Sequence, residues 1–465
     1  MGLVQSRSES EELQVENVSH PARLKKDSPI IVIGAGTWGA STALYLGRRG
    51  YTNVLVLDPH PYPSPISAGN DVNKIAETIS WRPSGGEEVD RVPIETHIAA
   101  RTSEGWLNDP VFKPYYHDTG FIAAASTPDA FQFVKEHEIT DDESEYTPLA
   151  GTEFRQTMPE GVLTGDFPNW KGFWKKRGAG WVHARNAYIS AADEARKLGV
   201  RFLTGTPEGK VTGLLYGNNG HVVGVATADG KEHRATRTIM TAGPYADKLL
   251  DFKNQLRPTA WTLAHIKLEP SELPLYKNLP VLFNVERGFF MEPDEEHHEL
   301  KICDEHPGYT NFKGPCHDPE AESSGSIPFA KHQIPEASEE RVRNFLRETM
   351  PQLADRPFAF ARICWCADTP DRRFLIDTHP DHPSLILGVG GSGHGFAHIT
   401  SIGGFIVDEL EGRLEKRFKD AFRWRPETAV DRNWQDLQGR WGVERRVMDF
   451  GEVKEWTKVG DGREY

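Results

Sequence analysis

Cysteine is scarce in this chain, and its placement is uninformative for cross-linking. Four cysteines stand in 465 residues, Cys303, Cys316, Cys364 and Cys366. All lie beyond residue 300 and none forms C-x-x-C, so neither a disulfide framework nor a metal site is expected. Positive charge is also in deficit. Lys and Arg total 54 against 68 Asp and Glu, a net charge of -14, which excludes nucleic acid as the expected partner because phosphate binding needs clustered positive charge. No run approaches the ~20 apolar residues of a membrane span. The N-terminus lacks the apolar stretch of roughly 7–15 residues that a signal peptide carries. An intracellular, cytoplasmic setting is the expectation. Internal repeats and low-complexity blocks are absent. What is present is a chain of globular composition, 38% hydrophobic, long enough for two or three domains at roughly 150 residues each.

Residues 1–28 are polar, rich in Ser and Glu, and read as a disordered lead-in. The opening Met1-Gly2-Leu3-Val4-Gln5-Ser6 fits the N-myristoylation pattern at Gly2; a polar tail matching by chance is the alternative. The character then changes. Ile30-Ile31-Val32-Ile33 is a β-branched run suited to a strand buried on both faces. It enters Gly34-Ala35-Gly36-Thr37-Trp38-Gly39, and small or apolar residues at Ala40, Ala43, Leu44 and Gly47 follow at helical spacing until Gly50. A second strand, Asn53–Leu57, ends in Asp58. This is the register of a dinucleotide-binding fingerprint: a glycine for the tight turn, a glycine where backbone meets pyrophosphate, a glycine for close helix packing, and an acid for a ribose hydroxyl. The helix N-terminus offers free N–H groups to phosphate. The fingerprint does not choose between NAD and FAD, though its place early in the chain leans toward FAD.

Further strands are expected at 120–124, 200–203, 222–226 and 236–240, and helices at 94–107, 187–198, 339–350 and 402–410. The strand Thr236–Met240 runs into Thr241-Ala242-Gly243-Pro244, an element of the kind that returns to the cofactor in Rossmann-type flavoproteins. Residues 255–345, rich in Pro and charge, read as an inserted antiparallel region. Lys301 alternates on an expected strand, where an inward lysine is costly unless paired or functional.

Three separated segments carry a resemblance. Gly34–Asp58, followed by Pro59 and by Ser67-Ala68-Gly69-Asn70-Asp71-Val72-Asn73-Lys74-Ile75, resembles the fungal amadoriases (fructosyl amino acid oxidases), relatives of monomeric sarcosine oxidase among the D-amino-acid-oxidase-like flavoproteins. Ile363–Asp377, with C-x-x-x-x-T-P-D beginning at Cys364, resembles the flavin-attachment region of that family, and Gly390-Gly391-Ser392-Gly393-His394-Gly395-Phe396 its last flavin loop. The resemblance implies an α/β fold: a Rossmann-like FAD-binding domain with a second domain on a mixed or antiparallel sheet. It implies FAD bonded through the Cys364 sulfur, with Cys366 matching no family role. It implies a lysine, Lys301, over the flavin to help oxygen accept electrons; a basic residue, Lys74, at the flavin face; and a substrate contact at Glu305, beside the bland Asp304. The implied cofactor-binding set is Gly34, Gly36, Thr37, Trp38, Gly39, Asp58, Pro59, Lys74, Ala242, Gly243, Cys364, Gly393, His394, Gly395 and Phe396; the implied catalytic set is Lys301, Lys74 and Glu305. The implied chemistry is oxidation of a secondary amine to an imine, with O2 reduced to H2O2, by a monomer that meets only a small amine and O2. A dehydrogenase, or a flavin-binding protein without turnover, is the alternative.

Two departures bear on the substrate. The family usually places a lysine after the last flavin loop to grip a carboxylate; here Ala397 and His398 follow Phe396. Sarcosine oxidases place an arginine three positions after the residue matched by Lys74; here that position is Glu77. Arg423, Arg425 or His398 could supply the missing charge. The expected organisation is a cofactor domain over 29–78, 150–250 and 350–430, a substrate domain over 79–149 and 251–349, and an extension over 431–465.

Overall fold

The computed structural model describes residues 23–79, 92–139, 143–217, 219–314 and 325–459. Gly2 and its acylation pattern, most of the lead-in and Cys316 lie outside the described residues. Strand β1 (Ile30–Ile33) is buried at every position, helix α1 (Thr37–Arg48) follows it, and strand β2 (Val54–Asp58) pairs with β1 in parallel. The helix begins three residues earlier than its apolar spacing suggests, because the glycine turn is only Gly34 to Gly36. The sheet continues with Arg201–Thr204 beyond β2, and with Arg237–Met240 and His382–Val389 on the other side of β1, all parallel; Leu375–His379 closes it as an antiparallel edge. Helix α1 packs between this sheet and the helices Ala184–Lys197 and Ile402–Leu410, with Ala40, Ala43 and Leu44 wholly buried. This is the Rossmann-like half expected from the fingerprint, with helices on one face of the sheet and the antiparallel strands Val211–Tyr216, Val222–Thr227 and Glu232–Arg234 on the other.

The second half is larger and mixed. Its sheet is built around Arg257–Lys267, which pairs antiparallel with Glu299–Asp304 on one side and, over nearly its whole length, with Phe358–Asp368 on the other. Phe121–Ala125, Lys171–Lys175 and Tyr146–Ala150 extend it. Lys171–Lys175 and Phe358–Asp368 fall in ranges read above as cofactor domain, so the chain crosses between the sheets more often than those ranges provide for. A three-stranded sheet joins Lys74–Glu77 to Ala179–Val182 and Tyr116–His117.

Strand periodicity decides what the large sheet does. On Phe358–Asp368, Ile363, Trp365 and Ala367 pack into hydrophobic cores. Arg362, Cys364, Cys366 and Asp368 alternate with them and so share the opposite face. On Glu299–Asp304, Leu300 and Ile302 pack into the core beneath helix Glu336–Thr349, while Lys301 and Cys303 take the other face. One face of the sheet is therefore greasy and the other carries a floor of chemically active side chains.

The glycine turn sets a strict steric condition. A Cβ on Gly39 would stand 1.8 Å from the Gly34 carbonyl oxygen, a backbone atom that cannot step aside. Gly39→Ala is expected to destabilise the protein by about 3 kcal/mol or more. Thermal melts check this, and a melting temperature unchanged within a degree would show that α1 slides to accommodate the methyl group.

Candidate active site

The first motif builds a cradle. Gly34 has φ +95°, and a Cβ there would meet the Thr241 carbonyl oxygen at 2.8 Å. Both backbone groups of Ala35 are fixed from a distance. Its N–H donates to Asp58 Oδ2 (2.8 Å), and its carbonyl accepts from the hydroxyl of Tyr188 (2.5 Å), wholly buried and 153 residues away. Asp58 also accepts from the His60 N–H (2.9 Å); burial pushes its carboxyl up, while these N–H groups oppose the shift. The Pro59 carbonyl accepts from Thr206. Gly36 is the N-cap of α1 and has no capping side chain. The N–H groups of the first turn, at Thr37 and Trp38, therefore face outward, and a Cβ on Gly36 would meet nothing nearer than Ser67 Oγ at 3.6 Å.

The other two motifs close on this cradle. Trp38 Nε1 donates to the Gly395 carbonyl (3.0 Å), and a Cβ on Gly69 would touch both Thr37 and Phe396. Ala242 and Gly243 follow the strand whose end, Thr241, donates to Ile33 and Gly34. Gly393 and His394 are exposed, and the His394 ring lies 5.3 Å from that of Phe374.

Two of the three catalytic candidates, Lys301 and Lys74, meet at one carboxylate. Lys301 Nζ donates to Asp71 Oδ2 (2.7 Å) and to the Asn73 carbonyl (2.8 Å); Lys74 Nζ stands 2.6 Å from the same Asp71 oxygen. Lys301 and Asp71 are buried. Burial alone would raise the Asp71 carboxyl; Lys301, Lys74 and Arg362 together hold it far below its usual value. For Lys74, burial works against the charge, but Asp71 and then the Cys364 sulfur more than offset it. Cys364 thus lies near Lys74, and its strand neighbour across the sheet is Trp261. Arg362 pins the loop that carries Asp71 by donating to the carbonyls of Pro65 and Asn70 (3.0 Å each). Cys366 is tied instead to Asp368 (3.4 Å), and burial pushes its thiol well up.

Glu305 forms a second centre. Burial, and then the neighbouring Asp304, push its carboxyl up to about 8, with Arg440 and Arg372 opposing. Asp304 is committed elsewhere, bonded to Thr262 (2.5 Å) and Arg341 (2.9 Å). Arg440 is buried, clasps Asp368 through two 2.8 Å bonds, and lies 4.5 Å over the Trp261 ring. None of the three residues named as substitutes for the missing lysine stands free to do so. Arg425 is spent on Asp371 and on the Phe374 and Arg373 carbonyls; Arg423 pairs with Glu427 on the surface; His398 bonds Thr102 (2.7 Å). Ala397 gives its carbonyl to Trp106, and Glu77 faces Lys175 at 3.9 Å.

Sequence reasoning passed over Asp71, Arg362, Asp368 and Arg440. Asp71 and Asp368 lie inside segments quoted above, and Arg362 stands one residue before the Ile363–Asp377 segment. Arg440 lies in the extension, where no motif marks it.

The chain belongs to the FAD dependent oxidoreductase family, whose model matches residues 29–409. Amadoriase I of Aspergillus fumigatus, a fructosyl amine:oxygen oxidoreductase, is 56% identical, with a TM-score of 0.89 over 95% of this chain and 100% of that one. Amadoriase II of the same organism is 53% identical, with a TM-score of 0.86 over 95% and 99%. L-saccharopine oxidase of Schizosaccharomyces pombe is 26% identical over 442 residues, 91% of this chain and 98% of that protein.

The residues present fit FAD. The uncapped helix N-terminus and the open side of Gly36 suit a pyrophosphate, and the exposed Gly393-His394 loop offers backbone. Asn73 Oδ1, 1% exposed as a residue, has no protein partner next to the lysine pair, as a donor-bearing ligand requires.

Glu305 gives a pH prediction with a definite sign. The unfolded chain loses this proton near 4.5, whereas the folded protein holds it to about 8. Stability therefore falls as pH rises through that window. Glu305→Gln is expected to gain on the wild type across it, by upward of about 1 kcal/mol, and to hold that gain at higher pH. Parallel melting curves between pH 4 and 9 check this; a gap that does not vary with pH would show that Glu305 is solvated when folded.

Proposed function

We propose that this protein oxidises the C–N bond of a secondary amine of the fructosyl-amine kind, reducing O2 to H2O2. The observation that carries the reading is the buried Lys301, shared with Lys74 on one Asp71 oxygen and near Cys364. Bound FAD would supply the two-electron acceptor for the C–H bond beside the amine nitrogen. The turn from Gly34 to Gly39 would hold its pyrophosphate, Asp58 a ribose hydroxyl, and Cys364 a covalent link. Lys301 supplies a fixed ammonium where an oxygen anion forms, in a site from which water is largely excluded, so its charge is weakly screened.

At the substrate end, Glu305 is protonated at neutral pH and donates a hydrogen bond to a hydroxyl or carbonyl. Arg440, backed by Arg372, provides positive charge for a carboxylate, which the sequence reading had sought at 397. Amadoriase I and II are the relatives that point to fructosyl amines, and L-saccharopine oxidase extends the class to other secondary amines. We read the protein as a monomeric intracellular enzyme; Cys303, Cys364 and Cys366 are free thiols, as a reducing compartment would keep them. No described helix is long and apolar enough to cross a membrane.

A panel of fructosyl amino acids, N-methyl amino acids and saccharopine, with flavin bleaching and peroxide both recorded, tests the function. Fructosyl amines are expected to bleach the flavin and yield peroxide. Bleaching without peroxide would make the protein a dehydrogenase, and no bleaching by any amine a binding protein. Within an active enzyme, Lys301→Met is expected to slow reaction with O2 about a hundredfold while leaving reaction with amine nearly intact. Stopped-flow traces in which both fall together would assign Lys301 a structural role.

The covalent link has its own test. Acid-precipitated wild type is expected to stay yellow, Cys364→Ser to release its flavin, and Cys366→Ser to retain it. Colour in the wild-type supernatant would dismiss the link.

A further inference from the structure

Reduction of O2 to H2O2 takes two electrons and two protons. Hydride loss from the substrate carbon provides both electrons and one proton. A neutral amine keeps its N–H in the iminium product, so the second proton comes from elsewhere. Water then adds to the iminium carbon, giving a carbonyl compound and the released amine as its ammonium. One proton therefore reaches the oxygen site in each turnover. Lys301, 2% exposed, is too deeply set to take it directly from solvent.

A narrow cavity connects Asp71 to a group of half-buried histidines. It measures about 20 Å3, room for one water, and is lined by Asn70, Asp71, His183, His265, Asp294 and His297, among others. Asp294 is buried and holds both outer histidines: His183 Nε2 lies 3.4 Å from Oδ1, and His297 Nδ1 lies 2.8 Å from Oδ2. Their side chains are 21% and 27% exposed, so they exchange protons with solvent. At the inner end Asp71 bonds Lys301 at 2.7 Å. The Asn70 side chain lines the cavity and is nine-tenths buried or more; its Nδ2 donates to the Ser64 carbonyl (3.1 Å), but Oδ1 has no protein partner. A buried amide oxygen with no protein donor, on a residue lining a cavity of this size beside two carboxylates, calls for a water as donor.

We propose that this cavity is the proton route of the enzyme: a water held by Asn70 between Asp294 and Asp71 carries protons from His183 and His297 to Lys301. Lys301 gives a proton from Nζ to the oxygen anion and becomes a neutral amine. The water passes a proton through Asp71 to Nζ, and an imidazolium at the Asp294 cluster replaces the proton the water gave up. The imidazole then takes one from solvent, so no oxidant or reductant is needed. Asp294 is a positioning residue, stabilising the imidazolium without touching substrate or cofactor. The route rests on the oxidase reading above.

Two measurements on the holoenzyme test it. A high-resolution crystal structure is expected to show an ordered water within hydrogen-bond distance of Asn70 Oδ1; a dry cavity overturns the route. Asp294→Asn, nearly isosteric, is expected to slow reaction with O2 about tenfold or more and leave reaction with amine within about twofold. Its O2 step should acquire a larger solvent deuterium isotope effect, and imidazole buffer should restore most of the rate, with Asp294→Glu retaining it. A slow variant that neither imidazole nor Asp294→Glu rescues, with its isotope effect unchanged, would make the cluster structural and overturn the proposal, as would an unaltered rate. Failure of the oxidase reading shows separately, as wild-type enzyme that bleaches with amine and yields no peroxide.

Discussion

A single buried carboxylate oxygen, Asp71 Oδ2, accepts from two lysines that come from different parts of the fold. Lys74 begins the small three-stranded sheet and Lys301 belongs to the large one. An unpaired lysine at either depth would shed its proton or destabilise the fold, since burying a lone charge costs several kcal/mol. Arg362 is the third cation, and it anchors the Asp71 loop through backbone carbonyls as well. The arrangement cannot be dismantled one group at a time. Removing Asp71 strands two positive charges, while removing Arg362 leaves the Pro65 and Asn70 carbonyls in want of donors. The site is held by charge neutrality, and its precision follows from the same requirement.

That constraint explains why the large sheet presents a polar face to the other half of the molecule. Strand alternation leaves no choice about which residues share a face, so once Arg362 reaches the Asp71 loop, Cys364, Cys366 and Asp368 must follow it along the same line. The greasy side chains between them are what hold the strand against its cores. Cys364 and Cys366 thus have equal orientation and differ only in company: one near Lys74, the other bonded to Asp368. For Cys366, burial and then the Asp368 carboxylate push the thiol well up, away from the reactive thiolate form.

The fold was largely legible in the sequence where local pattern decides it. The β-branched run, the three glycines and the acid at Asp58 specify strand, turn, helix and strand through sterics that operate within about thirty residues. Helices at 94, 187, 339 and 402 were legible from spacing, though three of the four begin or end a few residues away, because capping and not apolar period sets an end. Less legible was the allegiance of Phe358–Asp368. A strand alternating between core and site residues reads alike whether it joins the parallel sheet or the mixed one, and its ten-residue register with Arg257–Lys267 is a nonlocal choice. The site shows the same division. Lys74 and Cys364 could be named because they sit in the quoted segments, and Lys301 and Glu305 because an expected strand and the family resemblance mark them, but that Asp71 joins the two lysines needed coordinates. Tyr188, which fixes Ala35, carries no local signal at all.

Under the proposed function, Arg440 would regain the charge that is absent at position 397. The carboxylate-gripping lysine sought at 397 is an alanine whose backbone is bound to Trp106, and restoring charge there would have to displace that packing. Arg440 arrives instead from the C-terminal extension, strapped down through Gln438 to the Thr369 and Pro370 carbonyls, which follow the Asp368 strand. Its two bonds to Asp368 keep a buried guanidinium neutralised before any substrate is present. An incoming carboxylate need not evict Asp368, because Arg257 at 3.8 Å and Arg372 nearby leave the cluster with more positive than negative charge. A neutral Glu305 beside it then adds a donor without adding repulsion. If this cluster is the substrate end, as proposed, it would favour an anionic group next to a hydrogen-bond acceptor, a combination that a sugar-bearing amino acid presents and a simple amine does not.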